Sequence, residues 1–144
     1  MTICGECGAV WADDRTCQAV YDENLMLEFT DPEYGSVHFL TVSTFMLQHG
    51  RYSEEALGWV VPTMRAYLAG EMTTERIRRD SRAALGQGQR TWRVMRKPGA
   101  PPQREVQWDV TLADVAAQAH DVASYRAAIT AWAARAVAQW EATA

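Results

Sequence analysis

Two cysteines three residues apart, Cys4 and Cys7, each followed by glycine, and a third at Cys17 constrain this chain more than any other feature. The stretch Cys4-Gly5-Glu6-Cys7-Gly8 can turn so that backbone amides face the sulfurs and both thiolates converge on one ion. That is half of a tetrahedral Zn2+ site. The rival is a redox dithiol, which lies between a strand and a helix, and no strand is expected ahead of Cys4. Three cysteines cannot all pair within one chain. The N-terminus has neither a basic start nor an apolar run ending in small residues, so thiolate ligands are favoured over disulfides and a cytoplasmic location is expected.

The other ligands must come from Cys17, His38, His49 and His120. Cys17 falls at a predicted helix start, where the positive end of the dipole favours a thiolate. His38 and His49 are eleven residues apart, about three turns, so on one unbroken helix they share a face but stand roughly 16 Å apart. One ion cannot take both. The expected set is Cys4, Cys7, Cys17 and one of the two histidines. An antiparallel hairpin of the first two helices places Cys17 beside His49, whereas His38 is reached only if the cysteine loop curls along the first helix. The balance tips slightly to His49. His120, just before Asp121, reads as a surface or capping residue.

The rest of the 144-residue chain reads as helix, giving a mainly α fold: a compact bundle of five or six helices with a cysteine-rich N-terminal metal-binding loop. Val20, Tyr21, Leu25, Met26 and Phe29 mark a first helix. Asp31-Pro32-Glu33 combines a cap, a proline in the first turn and an acidic start for a second helix through His49. Ser53 caps a third, with a stripe of Leu57, Val60, Val61, Met64, Tyr67 and Leu68, in which Pro62 should impose a kink or a break. A short basic helix ends near Leu85. Thr111 with Asp114 opens a short helix, and a last helix from about Val122 to Glu141 carries Tyr125, Ile129, Trp132, Ala136 and Trp140 on one stripe. The length suits one domain, 1–144, with the metal loop at 1–17 and a basic Gly/Pro-rich loop at 86–107. An extended piece is expected around Trp92, Arg93 and Val94.

Charge is unevenly placed. Residues 1–75 carry 12 acidic and 3 basic side chains, whereas residues 76–107 carry 9 basic and 2 acidic. The basic island can balance the acidic N-terminal half, or attract a small anion through Arg90, Arg93, Arg96 and Lys97. Nucleic acid is disfavoured by the overall acidity and by the spread of the arginines. No apolar run is long enough to span a bilayer, so no membrane partner is expected. The tryptophan- and alanine-rich last helix allows a monomer or a homodimer.

Cys4-Gly5-Glu6-Cys7-Gly8, Cys17, the block from Glu28 through His38 to Val42, and Leu47-Gln48-His49 together resemble the domain of unknown function 5946 family. Weaker likeness continues through Tyr52-Ser53, Trp92, Thr111 to Val115, Trp132 and Trp140. The family is small, bacterial and without an assigned activity, so the resemblance supplies residues and no reaction. Its pattern marks Cys4, Cys7, Cys17, His38 and His49. The chain departs from it at Phe45, where a tyrosine is usual, and at Gly50, where a proline is usual.

Three classes follow: a zinc-stabilised helical protein that binds a small anionic molecule or another protein, a zinc enzyme acting on a small anionic substrate, and a nucleic-acid-binding module using residues 76–107. Three thiolates and no open position suit the first, because such a site reduces the ion's Lewis acidity. Were the site catalytic, Glu28 and the spare histidine (His38 or His49) would be base and acid, with Tyr34 lending a hydroxyl. Otherwise Glu28 would receive the second ring N–H of a ligand histidine and orient it. Trp11, Trp59 and Trp108 read as core.

Overall fold

A computed structural model, described for residues 1–85, 93–100 and 104–143, is mainly helical, with seven helices among the described residues. A two-residue hairpin, β1 (Thr2–Ile3) and β2 (Val10–Trp11), pairs Thr2 with Trp11 and Ile3 with Val10 in antiparallel register. A strand therefore does precede Cys4, contrary to expectation. It is half of a knuckle and leads into no helix, so the thioredoxin arrangement is still not formed. Two residues of pairing are too few to leave an alternating pattern in the sequence.

α1 (Cys17–Thr30) starts where Thr16 accepts from the Ala19 amide at 3.1 Å. Its buried face is Cys17, Val20, Tyr21 and Glu28, while Met26 and Phe29, expected on the inner stripe, are exposed. The expected second helix is divided into α2 (Pro32–Gly35) and α3 (His38–Gln48). Asp31 caps α2 by accepting from the Glu33 amide at 2.9 Å. The division lets α2 press on α1: a Cβ built at Gly35 would lie 2.6 Å from the Glu28 carbonyl oxygen. That contact is backbone and cannot swing away. Gly35→Ala should therefore cost about 1–3 kcal/mol, as other overpacking changes do, read as a lower midpoint in urea with an unchanged slope.

α4 (Glu54–Leu68) is capped by Ser53 and runs unbroken through Pro62. The proline takes away the N–H that would have met the Gly58 carbonyl, but Gly58 and Pro62 are both exposed, so water can satisfy the orphan. Leu57, Val60, Val61 and Met64 are buried as the stripe required, with Tyr67 and Leu68 half-buried. α5 (Thr74–Leu85) exposes its arginines and buries Ile77. Of the extended piece expected near Trp92, that residue lies outside the described residues. Beyond it, Met95 bridges Tyr52, and the carbonyls of Arg93 and Val94 accept from Ser53.

α6 (Leu112–Gln118) begins where the Asp114 carboxylate accepts from the Thr111 amide at 2.8 Å. α7 (Val122–Ala142), capped by Asp121, is the central element and packs against α2, α3, α4 and α6. All five residues of its expected stripe are buried, Trp132 completely. The Trp132 indole N–H donates to Gln48 Oε1 at 2.9 Å, and Gln48 Nε2 donates to the Val110 carbonyl at 2.8 Å. These bonds fix the end of α3 against α7, and with it the next residue, His49. No helix among the described residues is long and apolar enough to cross a membrane.

Candidate metal centre

The hairpin turn builds the first two donors. Gly8 donates its amide to the Cys4 carbonyl at 2.9 Å and Cys4 donates to the Ala9 carbonyl at 2.9 Å. The turn needs φ +81° at Gly8, a left-handed conformation that glycine adopts without steric cost. Cys17, the first residue of α1, brings the third sulfur, and His49, just past α3, brings an imidazole. One ligand atom from each of Cys4, Cys7, Cys17 and His49 lies within 4.8 Å of every other. Cys7, Cys17 and His49 are buried and Cys4 is half-buried.

This donor set fits a tetrahedral ion. The sulfurs of Cys7 and Cys17 stand 3.7 Å apart, and zinc–sulfur bonds of about 2.3 Å require edges of about 3.8 Å. His49 Nδ1 lies 2.8 Å from the Phe45 carbonyl, which can only accept, so Nδ1 carries the proton and donates. Nε2 is left with a bare lone pair, and it is one of two buried side-chain polar atoms without a hydrogen-bond partner among the described residues, the other being Thr44 Oγ1. A buried acceptor of this kind costs free energy unless something binds it. The ring is also stacked on Phe45, 4.0 Å between centroids, and Phe45 on Tyr21 at 3.8 Å. Phe45 thus orients His49 through both its carbonyl and its ring.

The sulfurs are electrostatically unequal. The shared hydrogen bond with Cys7 drives the Cys17 thiol well below its usual range, overcoming burial, with further help from the Trp11 indole N–H at 3.4 Å. The same bond, together with burial, pushes Cys7 up, against the Ala9 amide that faces its sulfur. Of the two, Cys17 is therefore the sulfur that ionises more readily, and Cys7 the one that holds its proton.

His38 is not part of this group. Its Nδ1 lies 2.8 Å from Oε1 of Glu28, whose side chain is fully buried. Glu28 thus does receive a histidine N–H, but from the histidine outside the cluster. Its Oε2 accepts from Thr41 Oγ1 at 2.5 Å and from the Tyr125 hydroxyl. Burial, and after it the bond to Glu28, holds the Tyr125 phenol far above its ordinary range, so it stays a donor. Sequence reasoning missed both partners. Thr41 was discoverable, three residues from His38 on one helix face, whereas Tyr125 is 97 residues from Glu28 and left no local signal. Tyr34 packs its ring edge-on against Tyr125, 5.0 Å between centroids. His120 is exposed, and Trp11 is buried, with Trp59 and Trp108 half-buried.

The basic candidates separate. Arg96 and Lys97 line a cleft of about 640 Å³ together with Arg51, Arg104, Glu6, Glu105 and the segment His49 to Gly50. Arg93 is exposed and does not line it, and Arg90 lies outside the described residues.

Fold and site define the class: an all-helical bundle whose N-terminal knuckle is joined to the core by a Cys3His cluster able to chelate a metal ion. The profile of DUF5946, a family of unknown function, matches residues 2–141, and the chain belongs to that family. No curated protein and no solved structure matches it.

Proposed function

We propose that the chain, acting as one helical domain, is stapled by structural Zn2+ and binds a small anionic molecule in the cleft beside the metal loop. Four protein donors, all within 4.8 Å of one another, are enough to fill the coordination of one zinc ion, which supports a structural role over a zinc-bound hydroxide. The observation that carries the binding role is the pair Arg96 and Lys97. Of the four cations on the cleft, Arg51 is bridged to Glu6 at 3.0 Å and Arg104 lies over the Trp140 ring at 3.7 Å. Arg96 and Lys97 make no side-chain ion pair among the described residues. Two uncommitted cations on the wall of one concave site attract an anion more strongly than the same charges spread over a helix.

Calorimetric titration of inorganic phosphate into the zinc-loaded chain tests this. Binding should weaken about tenfold or more in an Arg96→Ala, Lys97→Ala double variant and fall with added salt. Unchanged binding in the double variant, or none in the native chain at low salt, would remove the anion role while leaving the metal staple untouched.

A further inference from the structure

The hydrogen bonds around Glu28 prepare a second site, at the opposite end of α3 from the metal and independent of the anion cleft. Glu28 accepts from Thr41 and Tyr125 through one oxygen and meets His38 through the other. An acceptor on Nδ1 fixes the neutral ring in the tautomer that carries its proton there. Nε2, on the far edge of the imidazole, then has a free lone pair and no partner among the described residues. The ring is not sealed in: its side chain keeps 39% of its exposure, while the carboxylate beneath it keeps none. A purely structural bond would leave the distal nitrogen facing bulk water or backbone. Here His38 instead lines a cleft of about 270 Å³.

The walls of that cleft state what would enter. Phe39, Val42, Trp59 and Ile77 supply rings and branched carbons, and Arg78, exposed on α5, is the one charged residue of the α5 wall. The volume suits a single aromatic ring or a short aliphatic chain. A mainly apolar cleft that also carries the hydroxyls of Ser36, Ser43, Tyr52, Thr74 and Ser81, with His38 as its one imidazole acceptor, recognises an apolar body that presents a hydrogen-bond donor.

We propose that His38, held by Glu28, is the hydrogen-bond acceptor of a binding site for a small, largely apolar alcohol or phenol in the cleft between α3, α4 and α5. Glu28, Thr41 and Tyr125 are positioning residues: they touch no ligand and act by fixing the His38 tautomer and ring orientation.

Phenol and anisole make a matched pair of probes, because methylation removes the donor and keeps the ring. Each is titrated into the zinc-loaded, isotope-labelled full chain and followed by NMR. Phenol should shift the Phe39, Trp59 and Ile77 signals together with His38 Nε2, and bind about fivefold more tightly than anisole. His38→Phe should abolish that preference while anisole still binds. Glu28→Gln should shrink it, with native circular dichroism as the control for folding. Should Glu28→Gln fail to fold, the imidazole nitrogen spectrum of the native chain in alkaline buffer decides the positioning role. A proton on Nδ1 is expected, and a proton on Nε2 overturns the proposal. Equal affinity for the two probes, a preference that survives His38→Phe, or no shift of cleft signals at millimolar phenol overturns it as well.

Discussion

Stripping zinc from the loaded chain with a chelator should lower its stability by about 4 kcal/mol at a free zinc level a thousand times the dissociation constant. For a chain of this length that is a fall of about 8–16 °C in the unfolding midpoint. The effect is large because the ion ties three distant places together: the knuckle, the first residue of α1, and the residue after α3. It falls short of complete unfolding because the helices bury a core around Trp132, Ile129 and Leu112 without the metal's help. X-ray absorption on the loaded chain should show sulfur near 2.3 Å and nitrogen near 2.0–2.1 Å in a three-to-one ratio. Cys17→Ser and His49→Ala should lose most of the bound zinc, whereas His38→Ala should keep one ion per chain. An ion lost with His38 and retained without His49 would refute the assignment. Zinc must displace thiol protons to bind, the raised Cys7 holding its own more tightly than the lowered Cys17. Affinity therefore falls as pH falls, and calorimetry in buffers of different ionisation heat counts the released protons.

Glu28→Leu is the substitution expected to do the most damage away from the metal, about 3–5 kcal/mol. Leucine fills the space but leaves the Tyr125 hydroxyl, the Thr41 hydroxyl and the His38 N–H without their common acceptor. Thr41 can still donate to the Val37 carbonyl at 3.2 Å, but Tyr125 is buried and water cannot replace its acceptor. Glu28→Gln retains one acceptor oxygen and should cost about 1–2 kcal/mol, with Tyr125→Phe smaller still because it removes donor and demand together. Chemical denaturation of the zinc-loaded variants gives the order directly. A leucine variant as stable as the native chain would mean that the carboxylate organises nothing.

Glu28 also shows why the sequence was readable in some places and opaque in others. Helix starts were legible wherever a cap was read locally, as at Asp31, Ser53 and Thr111, since the side chain and the amide it satisfies are within three residues, whereas the cap at Asp121 was passed over. The stripe of α7 was legible because one helix at the centre obeys its own period. The inner face of α1 was misread because apolar residues were followed to Met26 and Phe29, while the true stripe continues from Tyr21 to a carboxylate. Nothing local announces that a charge will be buried when its donors come from α3 and α7. The division between α2 and α3 was hidden for a similar reason: it answers to the approach of Gly35 to α1, which is tertiary. At the metal centre the three cysteines were evident from spacing. The choice of His49 over His38 depended on how α1 and α3 lie against one another, and a hairpin argument could only lean toward it.

The indole of Trp11 donates to Cys17, the thiol pushed toward its charged form. An excited indole loses its energy readily to an adjacent thiolate, and less so once that sulfur shares its electrons with an ion. Trp11 should therefore brighten as the metal binds, a change expected in the native chain and absent from a Trp11→Phe variant, which keeps the other five tryptophans.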